Sequence, residues 1–155
     1  MQFLSNFFKR ISAPTSLTSR REFTSLGPIA EPACTISNIP MLAVAFYYND
    51  PTLMFAATAS ALSHAILNQG LHDLDMMGVA LIGIKAIGNS RLILNNPQLL
   101  LVGAFAMAVN LVDTNVTRRY PELVGPWLHV AWHLMAAVAM QQFDSALNQE
   151  MQMNL

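Results

Sequence analysis

Apolar residues fall into five segments separated by polar punctuation, and a polar leader precedes them. The first segment runs from about Pro28 to Tyr48, polar at its start and apolar from Ile39 on. Asn49-Asp50-Pro51 is a turn signal. The second spans Pro51 to about Asn68, with proline in the first helical turn, where its missing N–H has no partner to lose. Gln69-Gly70 ends it. The third starts near Asp73, whose carboxylate is a candidate helix cap, and runs to Gly88. Asn95-Asn96-Pro97 is another turn, and the fourth segment runs from Pro97 to Asp113. A basic loop at Arg118-Arg119-Tyr120-Pro121 precedes the fifth, from about Leu123 to Phe143. Residues 92–112 and 123–143 contain no Asp, Glu, Lys or Arg, and each stretch has about the length of a bilayer-spanning helix, roughly 20 residues. The second and third segments are shorter. The pattern predicts an all-α fold, an integral membrane bundle of about five transmembrane helices.

Composition agrees. The 155 residues are 54% hydrophobic and 11% charged, against roughly 25% charged in an average soluble domain. Mean hydropathy is +0.39. The net charge of −1 gives no sign of nucleic-acid binding. The single cysteine, Cys34, cannot form an internal disulfide.

Residues 1–22 form a leader. Phe3, Leu4, Phe7, Phe8 and Ile11 recur at helical spacing beside Lys9 and Arg10, and no acid precedes Glu22. This has the composition of an organelle transit peptide; an amphipathic membrane anchor is the other reading. Residues 23–145 form the membrane domain, and 146–155 a polar tail. If the segments alternate in direction, the leader and the Arg118-Arg119 loop lie on one side, which the positive-inside rule assigns to the cytosol, or to the matrix in an organelle.

Five polar residues break the apolar pattern: Ser60, His64, Asp75, His129 and His133. Ionisable groups inside membrane helices are costly and mark function. Ser60 and His64, four apart, share a face, as do His129 and His133. Both members of the first pair lie in the second half of their helix, Asp75 at the start of the next, and the second pair in the first half of the last. Alternating directions therefore bring all five to one side and a similar depth.

Three imidazoles, a carboxylate and a hydroxyl suit a catalytic zinc site with one open position. Zinc lowers the pKa of bound water towards about 7. Asp75 would accept its proton and deliver it to a leaving amine, and Ser60 would hydrogen-bond the water or an oxyanion. His72 is a fallback ligand. The bland readings are interior polar histidines, a serine packed between helices and Asp75 as a simple cap. A haem bundle using His64 with His129 or His133 is a third alternative.

Four ordered blocks resemble the alkaline ceramidase family, within a superfamily of seven-helix membrane hydrolases that includes adiponectin-receptor-like proteins. Ser60-Ala-Leu-Ser-His64 matches the family's Ser-x3-His, and Asp75 falls at the same eleven-residue offset. Leu74-Asp75 followed by Met-Met is similar to its Leu-Asp-Glu-Leu-Pro-Met stretch. Trp127-Leu-His129-Val-Ala-Trp132-His133 is similar to Phe-His-Ala-Trp-Trp-His. Upstream, Ile29-Ala-Glu31-Pro-Ala-Cys-Thr35-Ile-Ser37-Asn38 resembles Ile-Ala-Glu-Phe-Trp-Asn-Thr-x-Ser-Asn.

The resemblance implies that His64, His129 and His133 ligate Zn²⁺, and that Asp75 and Ser60 position and activate the zinc-bound water. The implied reaction cleaves the N-acyl bond of ceramide, a membrane-lipid substrate, to a sphingoid base and a fatty acid, in an endomembrane (ER or Golgi). A bacterial inner membrane also fits the sequence. The interval from Asp75 to His133 is two helices shorter than in the family. An even number preserves the direction of the last helix, so the zinc constellation survives while pocket walls are lost. An inactive metal-binding relic is therefore the alternative, and a homo-oligomer would be one way to rebuild the walls. Of the family's calcium ligands only Glu31 remains, so no calcium site is expected. Asp113 is similar in position to an acid near the end of the family's sixth helix, with different flanks.

Overall fold

Among the described residues, proline stands in the first turn of four of the seven helices. Its missing N–H is harmless there, and its fixed φ already suits the helix. The computed structural model describes residues 29–66, 68–119 and 126–153. Among these, every element of five or more residues is a helix: α1 (Pro32–Ile36), α2 (Ile39–Tyr48), α3 (Pro51–Ala65), α4 (Gln69–Gly88), α5 (Ser90–Asn95), α6 (Pro97–Arg119) and α7 (Trp127–Met153). The fold is all-α. The leader lies outside the described residues.

The first expected segment is two helices. Pro40 lacks the N–H that would continue α1, and its ring would clash with the carbonyl four residues back. The chain breaks at Ser37-Asn38 instead. The Cys34 carbonyl there accepts from Ser37 Oγ at 2.8 Å and from Asn38 Nδ2 at 2.9 Å. Asn49 ends α2 with φ of 52°, a left-handed conformation that asparagine tolerates. Asp50 then caps α3, its Oδ1 accepting from Thr52 N–H at 3.0 Å.

Helix α4 begins four residues before the expected Asp73. The cap is Asn68, whose Oδ1 accepts from the N–H groups of Gly70 and Leu71. Asp73 instead accepts from Gln69 Nε2 at 2.8 Å, and Asp75 falls in the second turn. Helix α7 runs past Phe143 to Met153. The apolar pattern stops near Phe143, but Ala, Leu, Gln, Glu and Met are all good helix formers, so the helix continues into the polar tail.

Helix α3 packs on α4 and α6 on α7, while α1 and α2 each bridge α3 and α7. Small residues permit the α3–α4 approach: a Cβ added to Gly78 would lie 2.7 Å from the Cα of Ala56. The core is built from Ala45, Leu53, Ala57, Ala137, Met140 and Phe143. Helix α5 joins α4 to α6 and also touches α7. Successive long helices alternate in direction, so the start of α2, the end of α3, the start of α4, the end of α6 and the start of α7 meet at one end of the bundle. Among the described residues one helical stretch, Pro97–Val116 in α6, is long and apolar enough to cross a membrane.

Candidate metal centre

The sequence-predicted histidines converge. Potential ligand atoms of His64, His129 and His133 all lie within 4.8 Å of one another. Nε2 of His64 and Nε2 of His129 are 3.0 Å apart. His64 ends α3 and is buried; His133 lies two turns into α7 and is also buried; His129 is partly buried in the first turn of α7. The four-residue spacing within α7 places both of its imidazoles on the face towards α3.

Each ring is pinned through its other nitrogen. Nδ1 of His64 donates to Glu31 Oε2 at 2.5 Å, and Nδ1 of His129 to Asp113 Oδ2 at 2.7 Å. Nδ1 of His133 lies 2.7 Å from Ser37 Oγ. That hydroxyl also donates to the Cys34 carbonyl, and Asn38 Nδ2 lies 3.4 Å from the same ring nitrogen. The two carboxylates thus assign one tautomer to His64 and His129 in their neutral form: hydrogen on Nδ1, a lone pair on Nε2. Two such lone pairs facing each other at 3.0 Å repel unless they share a proton or a metal ion. Metal-binding histidines are oriented by this kind of hydrogen bond to a carboxylate or other oxygen acceptor. The three imidazoles form a group able to hold a metal ion.

The remaining predicted residues border the same space. Ser60 Oγ lies 3.4 Å from His133 Nε2. Asp75 Oδ2 accepts from Ser63 Oγ at 3.1 Å, which ties the start of α4 to α3. Ser60 and Asp75 both line a cavity of about 800 Å³ that also contains the three imidazoles. His72 lines it too, but stands outside the converging trio. Ring centroids of the trio are 4.5–5.1 Å apart, which leaves no room for a porphyrin between any two.

Sequence spacing did not reveal the pinning partners. Glu31 is held by a short backbone pairing: Ala30 N–H donates to Ala65 O at 3.1 Å, and Glu31 N–H to His64 O at 3.0 Å. Glu31, singled out in the sequence as part of a family-like block and as the one match to the family's calcium ligands, is here the partner of His64. Asp113 is fully buried; an acid within an otherwise apolar helix was the signal for it. Ser37 owes its place to the break between α1 and α2. Glu31 and Cys34 also form a second buried ligand group that shares His64.

A second ionic cluster lies at the far end of the cavity. Lys85 Nζ donates to Asp50 Oδ2 at 2.7 Å and to Asp144 Oδ1 at 2.6 Å, and stands 5.2 Å from the centre of the Phe143 ring. Lys85 thus has two carboxylate partners. No family model, curated protein or solved structure matches this chain.

Proposed function

We propose that this chain is a zinc-dependent membrane hydrolase that cleaves the amide bond of ceramide or a related N-acyl lipid to a sphingoid base and a fatty acid. The observation that carries the reading is three pinned imidazoles converging at the end of a largely apolar cavity, with a carboxylate on its wall. The donor set fits zinc. Its bond to nitrogen is about 2.0–2.1 Å, so one ion can reach both Nε2 atoms that stand 3.0 Å apart.

His64, His129 and His133 would hold the ion, which when bound acidifies water and polarises a carbonyl. The chain's own residues supply the proton handling. Asp75 takes the proton of the attacking water and passes it to the leaving nitrogen as the C–N bond breaks. The Ser60 hydroxyl donates to the carbonyl oxygen as negative charge gathers on it. One water is consumed; the acyl group leaves as a carboxylate and the base as an amine. Glu31, Asp113 and Ser37 keep the three rings aimed.

The membrane reading takes α1 and α2 together, then α3, α4, α6 and α7, as five membrane-embedded segments. It is supported by large apolar side chains on outward faces, among them Phe46, Ile84, Ile87 and Leu101, all more than 60% exposed. Large apolar side chains exposed in this way are costly in water and ordinary in lipid. By its resemblance the chain belongs in an endomembrane.

The test is zinc content and fatty-acid release measured on one detergent-purified sample. The reading expects one zinc per chain, lost in His133→Ala. It also expects release from ceramide that Asp75→Ala abolishes while keeping the zinc. Stoichiometric zinc with equal background release by wild type and Asp75→Ala, on ceramide, ester lipids and acyl-amides alike, would establish the inactive relic instead.

A further inference from the structure

The cavity is a slot that follows three helices from the imidazoles to the Lys85 cluster. One stripe of α4, including Asp75, Val79, Ile82 and Ala86, faces it from one side, and stripes of α6 and α7 face it from the others. From Asp75 to Lys85 is ten residues along a single helix, about 15 Å at the helical rise of about 1.5 Å per residue. At that depth the lining runs out on all three helices, at Lys85 and Ala86 of α4, Leu99 of α6 and Phe143 of α7. Helix α5 crosses between α4 and α6 and presents Ile93, beside Leu99 and Lys85. Behind Lys85 stand the buried carboxylates of Asp50 and Asp144. A hydrocarbon tail that extends further must desolvate this ion cluster, which apolar atoms cannot hydrogen-bond.

Resting on the hydrolase reading, we propose that Ile93 and the Lys85 cluster set an upper length for the acyl chain of the substrate. An extended chain of about 15 Å holds roughly a dozen carbons, given C–C bonds of about 1.5 Å in zigzag. The substrate class is then an N-acyl lipid with a medium-length acyl group. Two glycines in the slot walls provide a clean probe. Gly83 on α4 and Gly103 on α6 line the slot near its far end, and a Cβ added at either meets nothing within 4 Å. A bulky side chain there enters the slot without displacing a neighbour at its root.

The experiment has two arms on the full-length, detergent-purified protein. In the first, hydrolysis is followed over ceramides with acyl chains from about 6 to about 24 carbons. In the second, free fatty acids of the same lengths displace a dansylated medium-chain fatty acid, which needs no turnover. The proposal expects both profiles to peak near about 12 carbons and to fall at least tenfold by about 18. Gly103→Phe should move the optimum to shorter chains and Ile93→Ala to longer ones, zinc content being unchanged in both. Hydrolysis with a flat length profile, or profiles that neither variant moves, overturns the ruler and leaves the hydrolase standing. A length-limited displacement without hydrolysis does the reverse: the ruler stands and the hydrolase falls. Absence of both overturns both.

Discussion

The Asp113 carboxylate, 1% exposed near the end of α6, lies 2.7 Å from Nδ1 of His129 in the first turn of α7. A buried carboxylate is tolerated only with a partner, and this one finds it in a ring whose opposite nitrogen faces His64. The acid fixes the tautomer, makes the ring a better donor to a cation, and ties α6 to α7 at the centre.

Asp113→Asn keeps the shape and removes the charge. Loss of an acceptor of this kind typically lowers metal affinity by about 10- to 100-fold. Competition against a fluorescent zinc chelator should place the variant in that range, with the helical content unchanged. Wild-type affinity in Asp113→Asn would mean that His129 is not a ligand.

Removing the metal should loosen the bundle as well as the site. Ligand that binds only the folded state stabilises it by about 2.7 kcal/mol at a hundredfold excess over its dissociation constant. Thermal unfolding in detergent should therefore shift down after chelation and recover on adding zinc. In His133→Ala the melting temperature should be lower and insensitive to zinc.

Lys85 holds two buried carboxylates together at the far end of the slot. Lys85→Met strands both, and removal of one partner from a buried ionic group typically costs about 3–5 kcal/mol. The triple variant with Asp50→Asn and Asp144→Asn should recover much of that loss, because no unpaired charge remains. Denaturant titration of the three proteins makes the comparison. Zinc content should be the same in all of them, since Lys85 lies about 15 Å along α4 from Asp75 at the imidazole end.

Gly78 and Gly83 occupy the same helix but should respond in opposite ways to alanine. A methyl at Gly78 meets the backbone of Ala56 at 2.7 Å, so α3 and α4 must separate, at a cost of about 1–3 kcal/mol. A methyl at Gly83 meets nothing within 4 Å and gains helix propensity, up to about 1 kcal/mol. Melting temperatures of Gly78→Ala and Gly83→Ala should fall on either side of wild type.

Local rules were enough to read several elements directly. The breaks at Asn49-Asp50-Pro51 and Asn96-Pro97 follow from proline geometry and side-chain capping, which involve only neighbours. The pairing of Ser60 with His64 and of His129 with His133 follows from the helical period. Alternation of helix direction then placed both pairs at one end. One local reading misled: Asp73 was the expected cap, and Asn68 takes the role because its side chain reaches the N–H groups of Gly70 and Leu71.

By itself, then, the sequence determined an all-helical chain and a set of histidines, serine and aspartate fit for a metal hydrolase, because periodicity and capping act over a few residues. Tertiary structure alone decided which groups aim those rings. Glu31 meets His64 across 33 positions, and Ser37 meets His133 across 96. Spacing carries no record of such pairs; they arise only when α1, α3 and α7 pack together and the polar groups buried between them must find hydrogen-bond partners. The slot has the same origin: α4 packs on α3 and α6 on α7, and the space left between the pairs exists only in the assembled bundle.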